Sequence, residues 1–338
     1  MSIRYERGSG ADIEHARSQL AGHVPETALK PSPSLTKLAG QPVALKLENR
    51  QLTGSFKIRG ATCAILRLTE DERLRGLVTA STGNHGRAVA HAARAQGVRA
   101  VVCMSRLVPS NKVEAVRALG ADVRIIGQSQ DDAMHEVARL VQEEGLTAIP
   151  PFDNADVIAG QGTIGLEIAD AMPDTATVLV PLSGGGLAAG VAAAVRHRLP
   201  EASVIGISMQ RGAAMYASLQ AGHPVEVREE ETLADSLGGG VGLDNRFTFA
   251  MCRDLLDDVV LLDEDEIAAG IRHAFLEEGE TVEGAGAVGI AALLAGKIRL
   301  KGPVAVLLTG ANIDPAVHGA LVGNHSMNGG VSSREREM

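Results

Sequence analysis

A lysine with a candidate chemical role lies in the segment QLTGSFKIRGA, residues 51–61. Thr53, Gly54 and Ser55 have the residue types of a loop and a helix N-cap, and the apolar spacing that follows predicts a helix. Lys57 would lie in its first turn, where the helix dipole disfavours a cation by roughly 0.3–1 kcal/mol. A lysine whose charged form is disfavoured can attack an aldehyde and form a Schiff base. A lone lysine is more often a solvated surface residue, so only partners elsewhere in the chain favour the chemical role.

A glycine-rich loop provides the first such partner. Ser183, Gly184, Gly185, Gly186 and Leu187 follow the apolar run TVLVPL and precede the helical run VAAAVRHRL. Consecutive backbone N–H groups at a helix N-terminus bind phosphate without a charged side chain. The loop lacks the GK[ST] of a nucleotide P-loop and the GxGxxG of a dinucleotide fold. The alternative is a glycine turn that only lets the helix pack closely on the sheet.

A second loop has the residue types of an anion site. Ser81, Thr82, Gly83, Asn84 and His85 lie between the runs GLVTA and RAVAHAARAQG. Their N–H groups and hydroxyls suit a carboxylate, and the asparagine amide can donate to an oxyanion. The alternative for the histidine is a residue at the start of a helix with a local hydrogen-bond partner.

The third loop follows the run VAVLL and offers the hydroxyl of Thr309. The carboxyl ends of strands are where open α/β sheets bind ligands, although a Thr-Gly pair there is usually only a turn. A Schiff-base lysine, a phosphate loop, a carboxylate loop and a strand-end hydroxyl together predict pyridoxal 5'-phosphate as the cofactor.

The elements that must position these residues indicate an α/β fold. Short β-branched runs alternate with Ala- and Leu-rich helical stretches, which is typical of a parallel sheet covered by helices. We predict strands at 43–48, 76–80, 99–104, 122–127, 177–182, 203–208, 257–262 and 304–310. The stretch LTAIPPFDNAD, 146–156, predicts a crossing between two domains, and the polar end of the chain, 322–338, predicts a frayed tail.

Composition excludes several classes of protein. The chain has 338 residues, 45% of them hydrophobic, a net charge of -9 and a pI near 5.6, which disfavours binding to nucleic acids or anionic membranes. It has no long apolar run and no apolar segment at its start, so we expect a cytoplasmic protein. Cys63, Cys103 and Cys252 are widely separated, which predicts buried free thiols rather than disulfides or a zinc ribbon.

Six motifs, in order along the chain, resemble the pyridoxal-phosphate enzymes of fold type II, the tryptophan-synthase-β type, and within them the threonine/serine dehydratase and serine racemase group. They are ExxQxTGSFKxRGA at 48–61, SxGNHG at 81–86, the glycine loop, TxAD at 232–235, VExxGAVG at 282–289 and [ST]GxN at 309–312. The resemblance implies two domains, each with a mostly parallel twisted sheet flanked by helices. The large domain would comprise 1–75 and 153–338, and the small domain, 76–152, would carry the carboxylate loop.

The resemblance also implies a role for each matching residue. Lys57 would form the Schiff base, Phe56 would lie against the cofactor ring, Asn84 would bind the 3-hydroxyl, and Thr309 would face the pyridine nitrogen. Gly184 to Leu187 would hold the phosphate. The implied cofactor site further includes Ser183, Ser236 and Glu283, and the implied carboxylate site comprises Ser81, Thr82, Gly83 and His85.

The implied reaction is β-elimination from a 3-hydroxy amino acid such as L-threonine or L-serine. The freed amine of Lys57 would remove the Cα proton, the hydroxyl would leave as water, and the product would become a 2-oxo acid and ammonia. A neutral hydroxyl at the ring nitrogen cannot hold it protonated, which favours elimination over transamination. The implied protein is an ammonia-lyase with a small-molecule substrate and the homodimeric assembly common in the family.

Departures from the family pattern leave alternatives open. Thr82 stands where racemases of this group carry a serine, which disfavours racemisation, and Ser208, Gly212 and Ala214 replace metal-binding acids, so we predict no metal. Ser183 and Ser236 each replace a usual glycine and leave the substrate open. The run TLADSLGGGVGLDNR resembles a dehydratase branch associated with hydroxyectoine breakdown, whose substrate would be a hydroxylated diaminobutyrate derivative. A pyridoxal-phosphate protein that senses an amino acid without turnover is a further alternative.

Overall fold

Two separate sheets organise the chain, for which a computed structural model describes residues 8–81, 83–108 and 110–323. The six-stranded sheet has the order β1-β2-β10-β7-β8-β9 and the four-stranded sheet the order β5-β4-β3-β6. Their strands are β1 Leu29–Pro31, β2 Val43–Lys46, β3 Leu77–Ala80, β4 Ala100–Met104, β5 Asp122–Ile125, β6 Thr147–Ala148, β7 Thr177–Pro181, β8 Ser203–Met209, β9 Asp258–Leu262 and β10 Val304–Leu307.

Helices connect and cover these strands. They are α1 Gly10–Leu20, α2 Pro33–Ala39, α3 Lys57–Leu66, α4 Glu70–Arg75, α5 Asn84–Ala95, α6 Ser110–Ala118, α7 Gln130–Glu144, α8 Ala155–Ala171, α9 Gly186–Arg198, α10 Ala214–Ala221, α11 Thr248–Leu255, α12 Glu264–Leu276, α13 Gly284–Leu294 and α14 Pro315–Gly323. The tail predicted over 322–338 begins within the end of α14, and from residue 324 onward it lies outside the described residues.

The predicted α/β fold is confirmed. Every pair of neighbouring strands among the described residues is parallel except β1 with β2, and each of the eight predicted strands is present, seven of them shortened and β8 one residue longer than predicted. The prediction missed β1 and β6. β1 has three residues, one of them a proline, and such a strand is tolerated only at a sheet edge. β6 has two residues inside the segment that we predicted to be only a domain crossing.

Helix α8 is buried along most of its length and lies between α3 and α9. Glycines allow this close approach. A Cβ atom on Gly160 would lie 2.6 Å from the carbonyl oxygen of Arg59 in α3, and one on Gly190 would lie 2.3 Å from that of Ile158 in α8. Since α3 begins at Lys57 and α9 begins beside the glycine loop, this packing fixes the position of Lys57 relative to the glycine loop.

Four buried charged side chains lie where α3, α8 and β2 meet. Arg59 donates from Nη2 to Glu48 Oε1 at 2.7 Å and to Glu167 Oε2 at 2.9 Å, and Lys46 also pairs with Glu167. All four side chains are buried. Burial raises the pKa of Glu48, but Arg59 outweighs it and holds that pKa below its usual value. Two positive and two negative charges therefore balance in the interior, two residues along the chain from Lys57.

The state of the cysteines and the lengths of the described helices agree with the predictions made from the composition. Cys63, Cys103 and Cys252 are buried and free, as predicted, and burial raises the pKa of each thiol. Among the helices that the structure describes, none is both long enough and apolar enough to cross a membrane.

We expect Arg59→Met to lower the free energy of unfolding by about 3–5 kcal/mol, because Glu48 would lose its buried counter-charge. Urea denaturation of the purified variant measures this. The matched control is Glu114→Ala, which removes an exposed ion pair with Arg117 and should cost no more than about 1 kcal/mol. Equal losses of unfolding free energy in the two variants would show that Arg59 contributes no more to stability than an exposed ion pair does.

Candidate active site

Lys57 is the first residue of α3, as predicted, but the predicted cap is wrong. The N-cap is Phe56, with φ -55° and ψ -22° and no side-chain cap hydrogen bond. Ser55 forms a β-bridge with Gly310 instead, and the N–H of Phe56 donates to the carbonyl oxygen of Thr309 at 3.0 Å. The chain before Lys57 is therefore held by the loop after β10, which brings the lysine and Thr309 to the same place.

Lys57 is half-buried, and its amine has one hydrogen-bond acceptor among the described residues. Nζ donates to the carbonyl oxygen of Pro151 at 2.7 Å and lies 5.2 Å from the centre of the Phe56 ring. Burial lowers the pKa of Lys57 to about 8, against an opposing effect from the charge of Glu283. A substantial fraction of free amine therefore exists near neutral pH, as a nucleophile or a base requires.

The glycine loop lies between β7 and α9, as predicted. Gly185 is the N-cap of α9, with φ +90° and no side-chain cap hydrogen bond. Gly186 and Leu187 are buried in the first turn of α9, where N–H groups have no acceptor within the helix. A Cβ atom on Gly184 would lie 2.4 Å from the ring of Phe152, so only glycine fits. A buried helix start with free donors and no side chains in the way is suited to phosphate.

A second group of contacts joins α5 to the loops before α13 and after β10. Asn84 Nδ2 donates to Glu283 Oε1 at 2.7 Å, and Asn312 Nδ2 donates to Asn84 Oδ1 at 2.5 Å. Burial, and then the charge of Asp235, raise the pKa of Glu283 to about 7, against the opposing effect of hydrogen bonds from Asn84, Ser236 and the Asn312 backbone. The structure thus brings Asn84, Ser236 and Glu283 together.

His85 is a buried, neutral side chain. Its Nε2 lies 2.9 Å from the carbonyl oxygen of Ile149, and since a carbonyl only accepts, Nε2 carries the hydrogen. Burial, and then the charge of Lys57, lower the pKa of His85 to about 3. Its Nδ1 is then an acceptor, without a hydrogen-bond partner among the described residues. An acceptor cannot bind a carboxylate, so the predicted role of His85 would fall to its backbone N–H.

The remaining predicted residues belong to the loops after β3 and β10. Ser81 follows β3, and Gly83 is the N-cap of α5. Thr82 lies outside the described residues. Thr309 is buried, and its hydroxyl donates to the carbonyl oxygen of Ala285 over a long 3.5 Å. That hydroxyl can therefore turn to another partner at little cost.

Sequence reasoning missed three contributors in one segment. The carbonyl of Pro151 holds Lys57, the ring of Phe152 lies against the glycine loop, and the carboxylate of Asp153 accepts hydrogen bonds from residues 246–248. Every residue has a backbone carbonyl, so the sequence does not reveal this role. The prediction made for this segment was only a crossing between two domains. Asn312 was also missed as a contact of Asn84, although it ends a motif that we identified.

We expect Glu283→Gln to lower the pKa of Lys57 further, because the wild-type carboxylate, ionised above pH 7, stabilises the ammonium form. Amine modification of Lys57 at a series of pH values, followed by peptide mass spectrometry, gives the pKa. The wild-type midpoint near pH 8 should shift to lower pH. The control is Glu280→Gln, since that buried carboxylate pairs with Arg50. A midpoint that stays in place in Glu283→Gln would contradict the coupling.

Comparison with known proteins gives relatives along most of the chain. A putative threonine dehydratase of Sinorhizobium fredii is 63% identical over 307 residues, which cover 90% of this chain and 92% of the relative. An L-threonine ammonia-lyase of Thermotoga maritima is 42% identical over 304 residues, 90% of this chain and 75% of the relative. These levels of identity extend the similarity well beyond the six motifs.

Solved structures and a family model agree with these relatives. The maize serine racemase structure has a TM-score of 0.87 at 30% identity, covering 94% of this chain and 98% of its own. Processed threonine deaminase isoform 2 of Solanum lycopersicum has a TM-score of 0.84 at 34% identity, covering 96% and 94%. The family model "Pyridoxal-phosphate dependent enzyme" matches residues 20–310. The predicted cofactor and ammonia-lyase class are confirmed. The chain belongs to the pyridoxal-phosphate-dependent enzymes of fold type II, in the group of threonine dehydratases and serine racemases.

Proposed function

We propose that this chain eliminates water from a 3-hydroxy amino acid, with L-threonine as the first substrate and L-serine as the second. The products are a 2-oxo acid and ammonia. One observation carries the proposal: Lys57 has a pKa lowered to about 8, and its amine rests on a backbone carbonyl. The relatives from Sinorhizobium fredii and Thermotoga maritima, whose names state threonine as their substrate, support the choice of substrate.

The residues present fit pyridoxal phosphate. The buried, uncapped start of α9 offers N–H donors at Gly184 to Leu187, beside Ser183, to the phosphate. Phe56 lies beside the Lys57 amine, where the cofactor ring would attach. Asn84 would bind the ring hydroxyl, and Thr309 the ring nitrogen. Ser236 and Glu283 complete this side of the site.

Bound pyridoxal phosphate supplies an aldehyde that captures amines and a ring that stabilises negative charge at the substrate Cα. Lys57 would hold the cofactor, and its amine, once free, would take the Cα proton of the substrate. A pKa of about 8 suits this task, because a general base is most effective when its pKa lies near the working pH. The carbonyl of Pro151 accepts a hydrogen bond from the displaced amine and keeps it near the substrate.

The start of α5 binds the substrate carboxylate in this proposal. Gly83 and the first residues of α5 lie at a helix N-terminus, where N–H groups and the helix dipole favour an anion. Ser81 and Thr82 add hydroxyls. His85 remains neutral near pH 7, so its side chain adds no charge. Recognition of the carboxylate would therefore depend on backbone donors, which do not titrate.

The hydroxyl of Thr309 would favour elimination over transamination. A carboxylate at this place would keep the ring nitrogen protonated, whereas a neutral hydroxyl does not. A ring held this way would take less negative charge from Cα, and the 3-hydroxyl would leave as water with a proton that the family resemblance assigns to the cofactor phosphate. Racemisation is the second candidate, supported by the similarity to maize serine racemase. Thr82 disfavours it, since this position carries a serine in the racemases.

Three further parts of the proposal concern substrate size, domains and assembly. A hydroxylated diaminobutyrate derivative is the larger alternative substrate, on the motif resemblance alone. Residues 76–152 form the small domain, and 1–75 with 153–338 form the large one. The four-stranded sheet, whose strands all fall within 77–148, supports this division. We further propose a cytoplasmic homodimer.

We expect Lys57→Ala to abolish both the visible absorbance of the bound cofactor and the release of 2-oxo acid, because no other amine would replace it. Absorbance spectra and a 2-oxo acid assay with L-threonine measure the two effects. The control is Lys37→Ala, which removes an exposed lysine of α2 and should change neither. A Lys57→Ala protein that eliminates at the wild-type rate would refute the assignment.

The substrate is tested with L-threonine, L-serine, L-threo-3-hydroxyaspartate and a 3-hydroxylated diaminobutyrate derivative. We expect the highest kcat/KM for L-threonine and no 2-oxo acid from L-2-aminobutyrate, which lacks the leaving hydroxyl. Turnover confined to the diaminobutyrate derivative would move the assignment to the larger substrate. D-serine formed faster than 2-oxo acid from L-serine would favour racemisation.

A further inference from the structure

Residues 151–153, which we call the connecting segment, contact both parts of the site that would hold the cofactor. The carbonyl of Pro151 accepts the hydrogen bond of Lys57 Nζ at 2.7 Å. Phe152 lies against the glycine loop, since a Cβ atom on Gly184 would be 2.4 Å from its ring and one on Gly186 2.8 Å from its backbone. Three consecutive residues thus connect Lys57 to the glycine loop.

Helix α11 borders the glycine loop from another direction. A Cβ atom on Gly185 would lie 2.9 Å from Cys252 Sγ and 3.0 Å from Thr248 Cβ, both in α11. The N-cap of α11 is Phe247, which makes no side-chain cap hydrogen bond. Asn245 accepts a hydrogen bond from the N–H of Phe249 at 2.9 Å, but the N–H groups of residues 246–248 need an acceptor from elsewhere in the chain.

Asp153 supplies that acceptor. Its Oδ2 accepts from the N–H of Arg246 at 2.7 Å, and its Oδ1 accepts from the N–H groups of Phe247 and Thr248 at 2.9 and 3.0 Å. A carboxylate that accepts several backbone N–H bonds at a helix start makes strong, charge-assisted hydrogen bonds. One side chain therefore ties α11 to the connecting segment, and the glycine loop contacts both.

We propose that Asp153 is a positioning residue for the phosphate group of the cofactor. It acts through Phe152 and α11, which contact neighbouring glycines of the loop, and it does not touch the cofactor. Without Asp153, Phe152 and α11 can both shift, and the N–H groups of the glycine loop no longer all point toward the phosphate. The proposal rests on the phosphate role assigned above to Gly184–Leu187, and it adds a residue outside every motif that we identified in the sequence.

Asp153→Asn is the sharpest variant because its shape is conserved. If the amide oxygen keeps the bonds to Phe247 and Thr248, the amide NH₂ must face the N–H of Arg246, and two donors oppose each other. Asp153→Ala removes all three bonds. The matched control is Asp156→Asn, a residue of the first turn of α8 whose carboxylate pairs with Arg67 at 2.9 Å.

The measurement compares pyridoxal 5'-phosphate with pyridoxal, which lacks the phosphate. Each is titrated into the apo-enzyme, and binding is followed by absorbance without any substrate. We expect Asp153→Asn to weaken the phosphorylated form about tenfold, and Asp153→Ala to weaken it more, while pyridoxal affinity changes by less than about twofold. Asp156→Asn should leave the ratio of the two affinities at the wild-type value.

Thermal denaturation of each apo-variant separates positioning from a merely structural role. A lower Tm for both Asp153 variants together with an unchanged affinity ratio would overturn the proposal, because Asp153 would then only cap α11. An equal loss of both affinities would overturn it as well. If the wild-type protein binds pyridoxal as tightly as pyridoxal 5'-phosphate, the phosphate role of the glycine loop fails, independently of Asp153.

Discussion

The close packing of α8 against α3 and α9 is the constraint on which the rest of the site depends. A residue with a side chain at Gly160 or Gly190 would push these helices apart by the width of a methyl group. Because Lys57 begins α3 and the glycine loop precedes α9, such a separation would also move the lysine away from the glycine loop. Buried charges centred on Arg59 reinforce the same junction, since they can only balance when α3, α8 and β2 meet as they do.

Electrostatics within the site follow from burial. The pKa of Lys57 falls to about 8 and that of Glu283 rises to about 7, each because its charged form loses water. Near neutral pH both groups are therefore close to their own transitions, and the charge of one favours the charge of the other. The pKa of His85 falls to about 3, so His85 stays neutral in this pH range. Lys57 and Glu283 therefore change charge near neutral pH, whereas His85 does not.

Much of this arrangement could be predicted from the sequence, because the chemistry resides in side chains and local loops. Lys57 in a first helical turn, the glycine loop before α9 and the α/β fold each follow from short patterns. The rest could not, since it depends on distant contacts. Ser55 has the residue type of a cap but is taken by a bridge to Gly310, so the helix begins one residue later. The carbonyl of Pro151 holds the lysine through a backbone atom, which any residue supplies.

The proposed preference for elimination over racemisation involves two threonines, Thr309 and Thr82. Thr309 is buried and donates a long hydrogen bond of 3.5 Å to a carbonyl, so it offers polarity without charge. Facing the ring nitrogen of a bound cofactor, as proposed, this hydroxyl would not hold that nitrogen protonated, which would limit how much negative charge the ring can take from Cα. A 3-hydroxy group is already attached and can leave at once, whereas racemisation needs a second acid correctly placed on the opposite face. In the proposed mechanism, the choice between elimination and racemisation would therefore depend on the residue at position 82 more than on Thr309.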